Sequence, residues 1–231
     1  MAVAGGPNIA EDGLVLYLDA ANPESYPGSG TTWGDLSGNG NDGALVNGPT
    51  FDGGNGGSIL VDGLNDSITL GISSGLDNNE FTVCLWYKPQ SHSTYGSIIN
   101  GKLPNGAFSL FWYNNNSISI QYQDNTGLTR VNGGVWIRSN APLTLLAGTW
   151  YHIHIIGNES NQYYRCGVNA IQSQSQFASQ FIEAPPVWKL GVGKYSNYDN
   201  GYTSNIQIYN RILTSQEILQ NYNATKARYG L

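Results

Sequence analysis

The sequence predicts an all-β fold, an antiparallel sandwich or barrel that ends in one short C-terminal helix. Runs rich in β-branched and aromatic residues recur along the 231 residues, and Gly, Asn or Pro separates each run from the next. Thirty glycines and a charged fraction of only 11% suit strands and tight turns better than long solvated helices. Because strands do not alternate with helices, a parallel α/β fold is not expected.

The predicted strands follow one another without a domain linker. The first lies in GLVLYLDA, where Leu14, Leu16 and Leu18 fall on one face. The later runs are GSILVDG, SITLGI, EFTVCLWYKP, GSIINGK, AFSLFWY, SISIQYQ, GVWIRS, TWYHIHIIG, YYRCGVN, VWKLGVG and YTSNIQIYN. About a dozen strands at this spacing indicate one domain, over 13–231. Residues 1–12 hold small side chains and a Gly-Gly-Pro break, so we expect a flexible N-terminal arm there.

Two neighbouring runs, AFSLFWY and SISIQYQ, predict a hairpin because the intervening NNN tolerates the positive φ of a tight turn. Core packing is the favoured role of the side chains that share one face of this hairpin. They are Phe108, Leu110, Trp112, Ile118, Ile120 and Tyr122.

The C-terminal helix has clear signals in LTSQEILQNYNATKARYG. Thr214 can cap the first turn while Glu217 reaches back, which completes a capping box. Ile218, Leu219 and Tyr222 then form a narrow apolar stripe. We expect this stripe to dock on a sheet edge.

Composition excludes several partners. The net charge of −6 and the ten scattered Lys and Arg residues argue against a nucleic-acid-binding surface. No apolar run approaches the roughly 20 residues of a membrane span, so no membrane partner is expected. The first residues lack the basic and apolar regions of a secretory signal, so synthesis and folding in a cytoplasm are expected.

Several segments in order resemble the laminin-G-like branch of the concanavalin A-like lectin/glucanase superfamily. They are GLVLYLDA, TTWGDLSGNGNDGAL, SILVDGLNDSITL, FTVCLWYKP, GTWYHIHI and YTSNIQIYNRILTSQEI. The resemblance covers nearly the whole chain. It implies a jelly-roll sandwich of two curved antiparallel sheets with a short C-terminal helix.

The two ends of the chain show a narrower resemblance. AVAGGPNIAEDGLVLYLDAANPESYPGSGTTW and IQIYNRILTSQEILQNYNATKARYG are similar to structural proteins of tailed bacteriophages, in which such a domain stands alone behind a short arm. This resemblance implies a place in a virion that is assembled in the host cytoplasm.

Catalysis is not expected. Glycosidases need two carboxyl groups about 5–5.5 Å or roughly 6.5–9.5 Å apart, and the superfamily's Glu-x-Asp-x-Glu type of run is missing here. His152 and His154 share one strand face at a spacing that can hold a metal, but without a third ligand nearby, packing or surface placement is favoured. Cys84 and Cys166 lack zinc-site spacing, and free thiols are favoured over a disulfide.

A calcium site is one of two interpretations of the loop DLSGNGNDG. Asp35 and Asn39 fall where EF-hand ligands would, but Val46 occupies the position of the bidentate Glu. A different geometry could still bind calcium, with help from Asp62 and Asp66. The favoured alternative is an Asx-type turn, so no cofactor is required and calcium is the one candidate metal.

The segment KYSNYDNGY is the candidate contact site, because aromatic rings and planar amides bind both sugars and protein surfaces. A glycan site, a subunit interface and a solvated turn all remain open for it. Its candidate contact residues are Tyr195, Tyr198, Asp199, Asn200 and Tyr202.

The sequence therefore predicts a non-enzymatic virion protein that decorates a phage capsid or another exposed virion surface. Expected partners are other capsid or tail proteins, and a homo-oligomer such as a trimer is expected on a symmetric site. The alternative is a carbohydrate-binding adhesin, on a tail or head fibre, that recognises host surface glycans.

Overall fold

The computed structural model describes residues 8–72, 76, 80–91, 95–103, 106–113, 116, 118–124, 145–158, 163–172, 188–190 and 198–231. The strands are β1 Leu14–Asp19, β2 Thr32–Trp33, β3 Gly43–Val46, β4 Thr50–Asp52, β5 Ser58–Asp62, β6 Ser67–Leu70, β7 Glu80–Pro89, β8 Tyr95–Leu103, β9 Gly106–Tyr113, β10 Ile118–Asp124, β11 Tyr151–Asn158, β12 Tyr163–Val168, β13 Ile171–Gln172, β14 Trp188–Leu190 and β15 Asn200–Tyr209. The helix α1 spans Ser215–Thr225, and 3-10 turns span Gly54–Gly56 and Lys226–Tyr229. None of the described helices is long and apolar enough to span a membrane.

The strands form two antiparallel sheets, as the jelly-roll prediction requires. The eight-stranded sheet has the order β13-β12-β11-β7-β15-β5-β4, with β1 also paired to β15. The seven-stranded sheet has the order β10-β9-β8-β14-β6-β3-β2. The predicted all-β class and the jelly-roll sandwich are confirmed.

The core lies between the sheets, where alternate residues of each strand point inward. Phe81 from β7 stacks on Phe108 from β9 at 4.8 Å between ring centroids, and Trp188 meets Phe108 edge-on at 5.3 Å. In the predicted hairpin, Trp112 pairs with Ile118 and Leu110 with Ile120, and all four are buried. The period of two in the sequence therefore identified the buried face of this hairpin.

Helix α1 covers the outer face of the eight-stranded sheet, the face turned away from the core. The predicted capping box is present, with both Thr214–Glu217 hydrogen bonds formed. Ile218 packs in a second apolar cluster with Tyr209 of β15, so the helix docks on the sheet face and the predicted docking on an edge was wrong. The predicted stripe is also corrected, because Leu219 is 46% exposed while Asn221 is buried.

The segment before β1 is tied to this helix. The Ala10 N–H donates to Asn221 Oδ1 at 2.8 Å, and the Tyr209 hydroxyl donates to the Ala10 carbonyl at 3.0 Å. Arg211 also forms an ion pair with Asp12 at 3.0 Å. The described part of the predicted arm, residues 8–12, is thus held against the domain, whereas residues 1–7 lie outside the described residues.

Beneath α1, the outer face of β11 carries the two histidines of the sequence pattern. His152 and His154 are fully buried, and none of their ring nitrogens has a hydrogen-bond partner among the described residues. Burial lowers the pKa of His152 to about 3, helped by His154, and burial lowers the pKa of His154 to about 4. Both imidazoles are therefore neutral packing groups at neutral pH, as favoured from the sequence.

Acidification should destabilise the fold before ordinary carboxylates titrate. Each histidine binds a proton near pH 6.5 when unfolded but only near pH 3–4 when folded, so its stabilising contribution is complete above pH 6.5 and falls below it. The expected loss is about 1.4 kcal/mol per pH unit for each imidazole. Urea unfolding between pH 7 and pH 5 measures this slope.

The control is the double variant His152→Gln, His154→Gln, which should lose most of the slope. Imidazole NMR titration of the folded protein gives a second readout that does not depend on the variant folding. Imidazole signals from His152 and His154 that titrate near pH 6.5 in the folded state would contradict the assignment.

Candidate functional site

The predicted contact residues lie at the start of β15, at one end of the eight-stranded sheet. Asn200 pairs with Asp62 of β5, and Tyr202 pairs with Leu60 on one side and with Lys88 of β7 on the other. Because side chains alternate along a strand, Asn200 and Tyr202 share the outer face. We call the residues around them the β15-start surface, which consists of the exposed Asp62, the partly exposed Lys88, Asn200 and Tyr202, and the buried ring of Trp150.

A lysine and two aromatic rings form the middle of the β15-start surface. The Lys88 ammonium lies 4.1 Å from the Tyr202 ring centroid and 5.1 Å from the Trp150 ring centroid. The indole N–H of Trp150 donates to Asn55 Oδ1 at 3.0 Å, which fixes the indole. These contacts hold the lysine by cation–π attraction on a rigid part of the sheet.

Asn200 adds an amide beside these rings. Its carbonyl accepts the Gln90 N–H at 2.9 Å, and its side-chain Nδ2 lies 3.5 Å from Ser91 Oγ, so the amide is partly exposed and weakly held. Tyr198 is also partly buried at the edge of this region. The predicted contact residue Tyr195 lies outside the described residues.

Asp199 does not belong to this surface. It is 1% exposed, and the Tyr87 hydroxyl donates to its Oδ2 at 2.6 Å. Burial raises the pKa of Asp199 to about 6, although hydrogen bonds from Tyr87 and from the Asn200 N–H lower it. The prediction of Asp199 as a contact residue is therefore corrected, because the strand turns this carboxyl inward.

The loop of the first calcium candidate is closed by hydrogen bonds. Asp35 Oδ1 accepts the N–H groups of Tyr17 and Ser37 at 2.9 Å, and Oδ2 accepts the Asn41 N–H at 3.0 Å. Although burial raises the pKa of Asp35, these bonds hold it below its ordinary value. The Asn39 amide donates to the Leu14 carbonyl at 3.0 Å, so the loop is fastened to β1.

The second pair of acidic candidates forms the turn between β5 and β6. Asp62 Oδ1 accepts the Leu64 N–H at 2.8 Å and the Asn65 N–H at 3.3 Å, and the Leu64 bond lowers its pKa. Asp66 is buried, and burial together with the charge of Asp62 raises its pKa. The pKa values of the two neighbouring carboxyls are thus shifted in opposite directions.

The four candidate calcium ligands occupy two separate places. Asp35 contacts Tyr17, which pairs with Gln207 near the end of β15, whereas Asp62 pairs with Asn200 at its start. Seven residues of strand separate these points, about 20 Å at the usual rise. Among the described residues no group of three His, Cys, Asp or Glu side chains could hold a metal ion. Calcium binding stays a prediction, and it requires one of the two places alone.

Lys88 and Trp150 were missed in the sequence because they sit at the ends of strand-like runs. The usable signal was the alternation in EFTVCLWYKP, where a lysine falls on the face opposite the core residues Val83, Leu85 and Tyr87. Their proximity to Tyr202 depends on strand order, which no local pattern contains.

A family model described as the concanavalin A-like lectin/glucanases superfamily, of the laminin G type, matches residues 61–219. No curated protein matches the sequence significantly. The structure is similar to that of the Trypanosoma rangeli sialidase in complex with the inhibitor DANA, with a TM-score of 0.66 and 14% identity over 94% of this chain. The chain spans only 33% of the length of that sialidase.

Two further solved structures share the fold. Domain 4 of an extracellular GH43 arabinanase from Geobacillus stearothermophilus, in complex with arabinotriose, has a TM-score of 0.62 and 20% identity over 92% of this chain and 100% of the domain. The botulinum neurotoxin serotype D binding domain has a TM-score of 0.66 and 17% identity over 92% of this chain and 52% of that one. At these identities the likeness shows the fold alone.

None of the three structures is a virion protein. The predicted resemblance to phage structural proteins therefore has no support from these matches, and the virion location, the protein partners and the oligomeric state stay predictions. The resemblance to the laminin-G-like superfamily is confirmed.

The pair Tyr87–Asp199 predicts a pH-dependent effect of removing one hydroxyl. Tyr87→Phe takes a hydrogen bond from a buried carboxylate, which should lower the free energy of unfolding by about 2 kcal/mol at pH 8. Because the folded pKa of Asp199 is raised, its protonated form favours folding, and stability falls as pH rises through about 6. At pH 5 the loss should be less than half as large.

Urea unfolding at both pH values tests this effect, and Tyr26→Phe is the matched control. The Tyr26 hydroxyl donates to the neutral carbonyl of Gly30 at 2.9 Å, so its loss should be similar at pH 5 and pH 8. Equal losses at the two pH values in Tyr87→Phe would show that Asp199 does not change its protonation there.

Proposed function

The chain belongs to the concanavalin A-like lectin/glucanase superfamily, and from that premise we propose that it is a non-catalytic carbohydrate-binding domain that binds sugars at the β15-start surface. This proposal takes the adhesin alternative of the sequence interpretation in preference to a virion-decorating role. No observation in the described residues specifically favours the decorating role.

The observation that carries the proposal is the side-chain chemistry at the start of β15. Sugar recognition needs aromatic surface for the ring carbons and polar groups for the hydroxyls. The β15-start surface presents the Tyr202 ring, the Asn200 amide and the Lys88 ammonium on neighbouring strands, and the buried Trp150 ring supports the ammonium. Because paired strands position these groups, their side chains lose little conformational freedom on binding.

The comparisons support a sugar ligand in general terms. The arabinanase domain of the same fold was solved with arabinotriose, and this chain covers that whole domain at 20% identity. The sialidase match covers only a third of the enzyme, so it supports no catalytic role for this chain. The neighbouring carboxyls Asp62 and Asp66 also serve the β5–β6 turn, which favours binding without hydrolysis.

We expect specific binding on a glycan array, followed by a measurable dissociation constant for the best ligand in calorimetry. Tyr202→Ala and Asn200→Ala should each weaken that binding about tenfold, since each removes a side chain that contacts the sugar. The array should be run with calcium and with a chelator, which tests the calcium prediction at the same time.

The matched control is Asn223→Ala, an amide on α1 outside the β15-start surface. It should leave the dissociation constant unchanged. Absence of binding to every glycan in both conditions would overturn the proposal, and release of reducing ends from a bound oligosaccharide would overturn its non-catalytic part.

A further inference from the structure

Lys88 is the one side chain of the β15-start surface that carries a positive charge. Its ammonium is held between the rings of Tyr202 and Trp150, and no oxygen acceptor contacts it among the described residues. A lysine has three N–H donors and no acceptor, and aromatic rings satisfy its charge but not its hydrogen bonds. Within the part of the chain that the structure describes, the surface thus presents a positioned donor without an anionic partner.

Two arginines of the outer face are neutralised by carboxylates, whereas the Lys226 ammonium lies 5.3 Å from the Tyr222 ring centroid. Arg211 pairs with Glu217 at 2.6 Å, and Arg228 pairs with Asp19 at 2.8 Å. The acid of the β15-start surface, Asp62, lies two strands and one side-chain row away from Lys88. The usual strand spacing and rise per residue make this distance about 12 Å. At that distance salt screens most of the attraction.

The rings also reduce the entropy that Lys88 would lose on binding. A free lysine gives up a large amount of rotamer freedom when it is fixed. Here part of this conformational entropy is already lost in the unbound protein, because two aromatic contacts restrict the Lys88 side chain. A fixed ammonium favours a ligand whose negative charge sits at one defined position.

We propose that the β15-start surface selects glycans that carry a carboxylate, with the Lys88 ammonium binding the carboxylate and the Asn200 amide binding neighbouring hydroxyls. This inference rests on the proposed carbohydrate-binding function and specifies its ligand class. Sialic acids and hexuronic acids both supply such a group, and the chemistry of the surface is common to the two.

Matched pairs of neutral and acidic glycans test the inference and separate the two sources. Lactose is compared with sialyllactose, and a galactose trimer with a galacturonate trimer, by calorimetry at low and high sodium chloride. We expect the acidic member of at least one pair to bind about tenfold more tightly at low salt, and the preference to shrink as salt rises.

Lys88→Met keeps the apolar stem but removes the charge, so the acidic and neutral members of each pair should bind this variant equally. Lys88→Arg should retain a preference, and Lys189→Met on the seven-stranded sheet should have no effect. Equal binding of acidic and neutral members overturns this inference and leaves the carbohydrate-binding proposal intact. Binding of no glycan at all overturns both, and a preference that survives in Lys88→Met overturns the role of Lys88.

Discussion

The pairing of β15 with two different strands on one side is the constraint on which the rest of the fold depends. Residues 200–203 pair with β5, whereas residues 205–209 pair with β1, and the register shifts between Thr203 and Ile206. Ser204 lies at this shift, where its carbonyl accepts the Ala20 N–H at 2.8 Å and its hydroxyl donates to the Gly57 carbonyl at 2.7 Å. Since a Cβ on Gly57 would collide with the Ala20 carbonyl, glycine is required at this junction.

Residues 8–12 and the C-terminal segment are fastened to β15 and to its partner β1, which explains how much of the outer face is closed. The Tyr209 hydroxyl contacts Ala10 and Asn221. One guanidinium nitrogen of Arg228 donates to both carboxylate oxygens of the buried Asp19, each at 2.8 Å. Breaking such a pair destabilises the fold, because it leaves a buried carboxylate without its partner. Helix α1 and the 3-10 turn after it thus protect the neutral imidazoles beneath them, and they leave Asn200 and Tyr202 at the start of β15 partly exposed.

Local patterns predicted much of this architecture, because strand alternation and capping depend on near neighbours. The hairpin face and the capping box at Thr214 followed directly from the sequence. Asp199 was misplaced because its whole segment was treated as one contact site, although alternation along a strand sends Asp199 and Asn200 to opposite faces. The separation of Asp35 from Asp62, and the room that Gly167 leaves for the His154 ring, depend on strand order and register, which no local pattern contains.

Electrostatics then distinguish the β15-start surface from the rest of this acidic domain. A net charge of −6 repels anionic ligands at long range, so selection of one requires a local cation that is not already neutralised. Arg211 and Arg228 form ion pairs that hold the C-terminal segment against the domain. Lys88 is instead positioned by aromatic rings, which hold a cation without cancelling its charge. The strand that closes the fold therefore places Tyr202 and Asn200 beside the Lys88 cation of β7, and we propose that this arrangement, more than the acidic loops, determines what the surface can recognise.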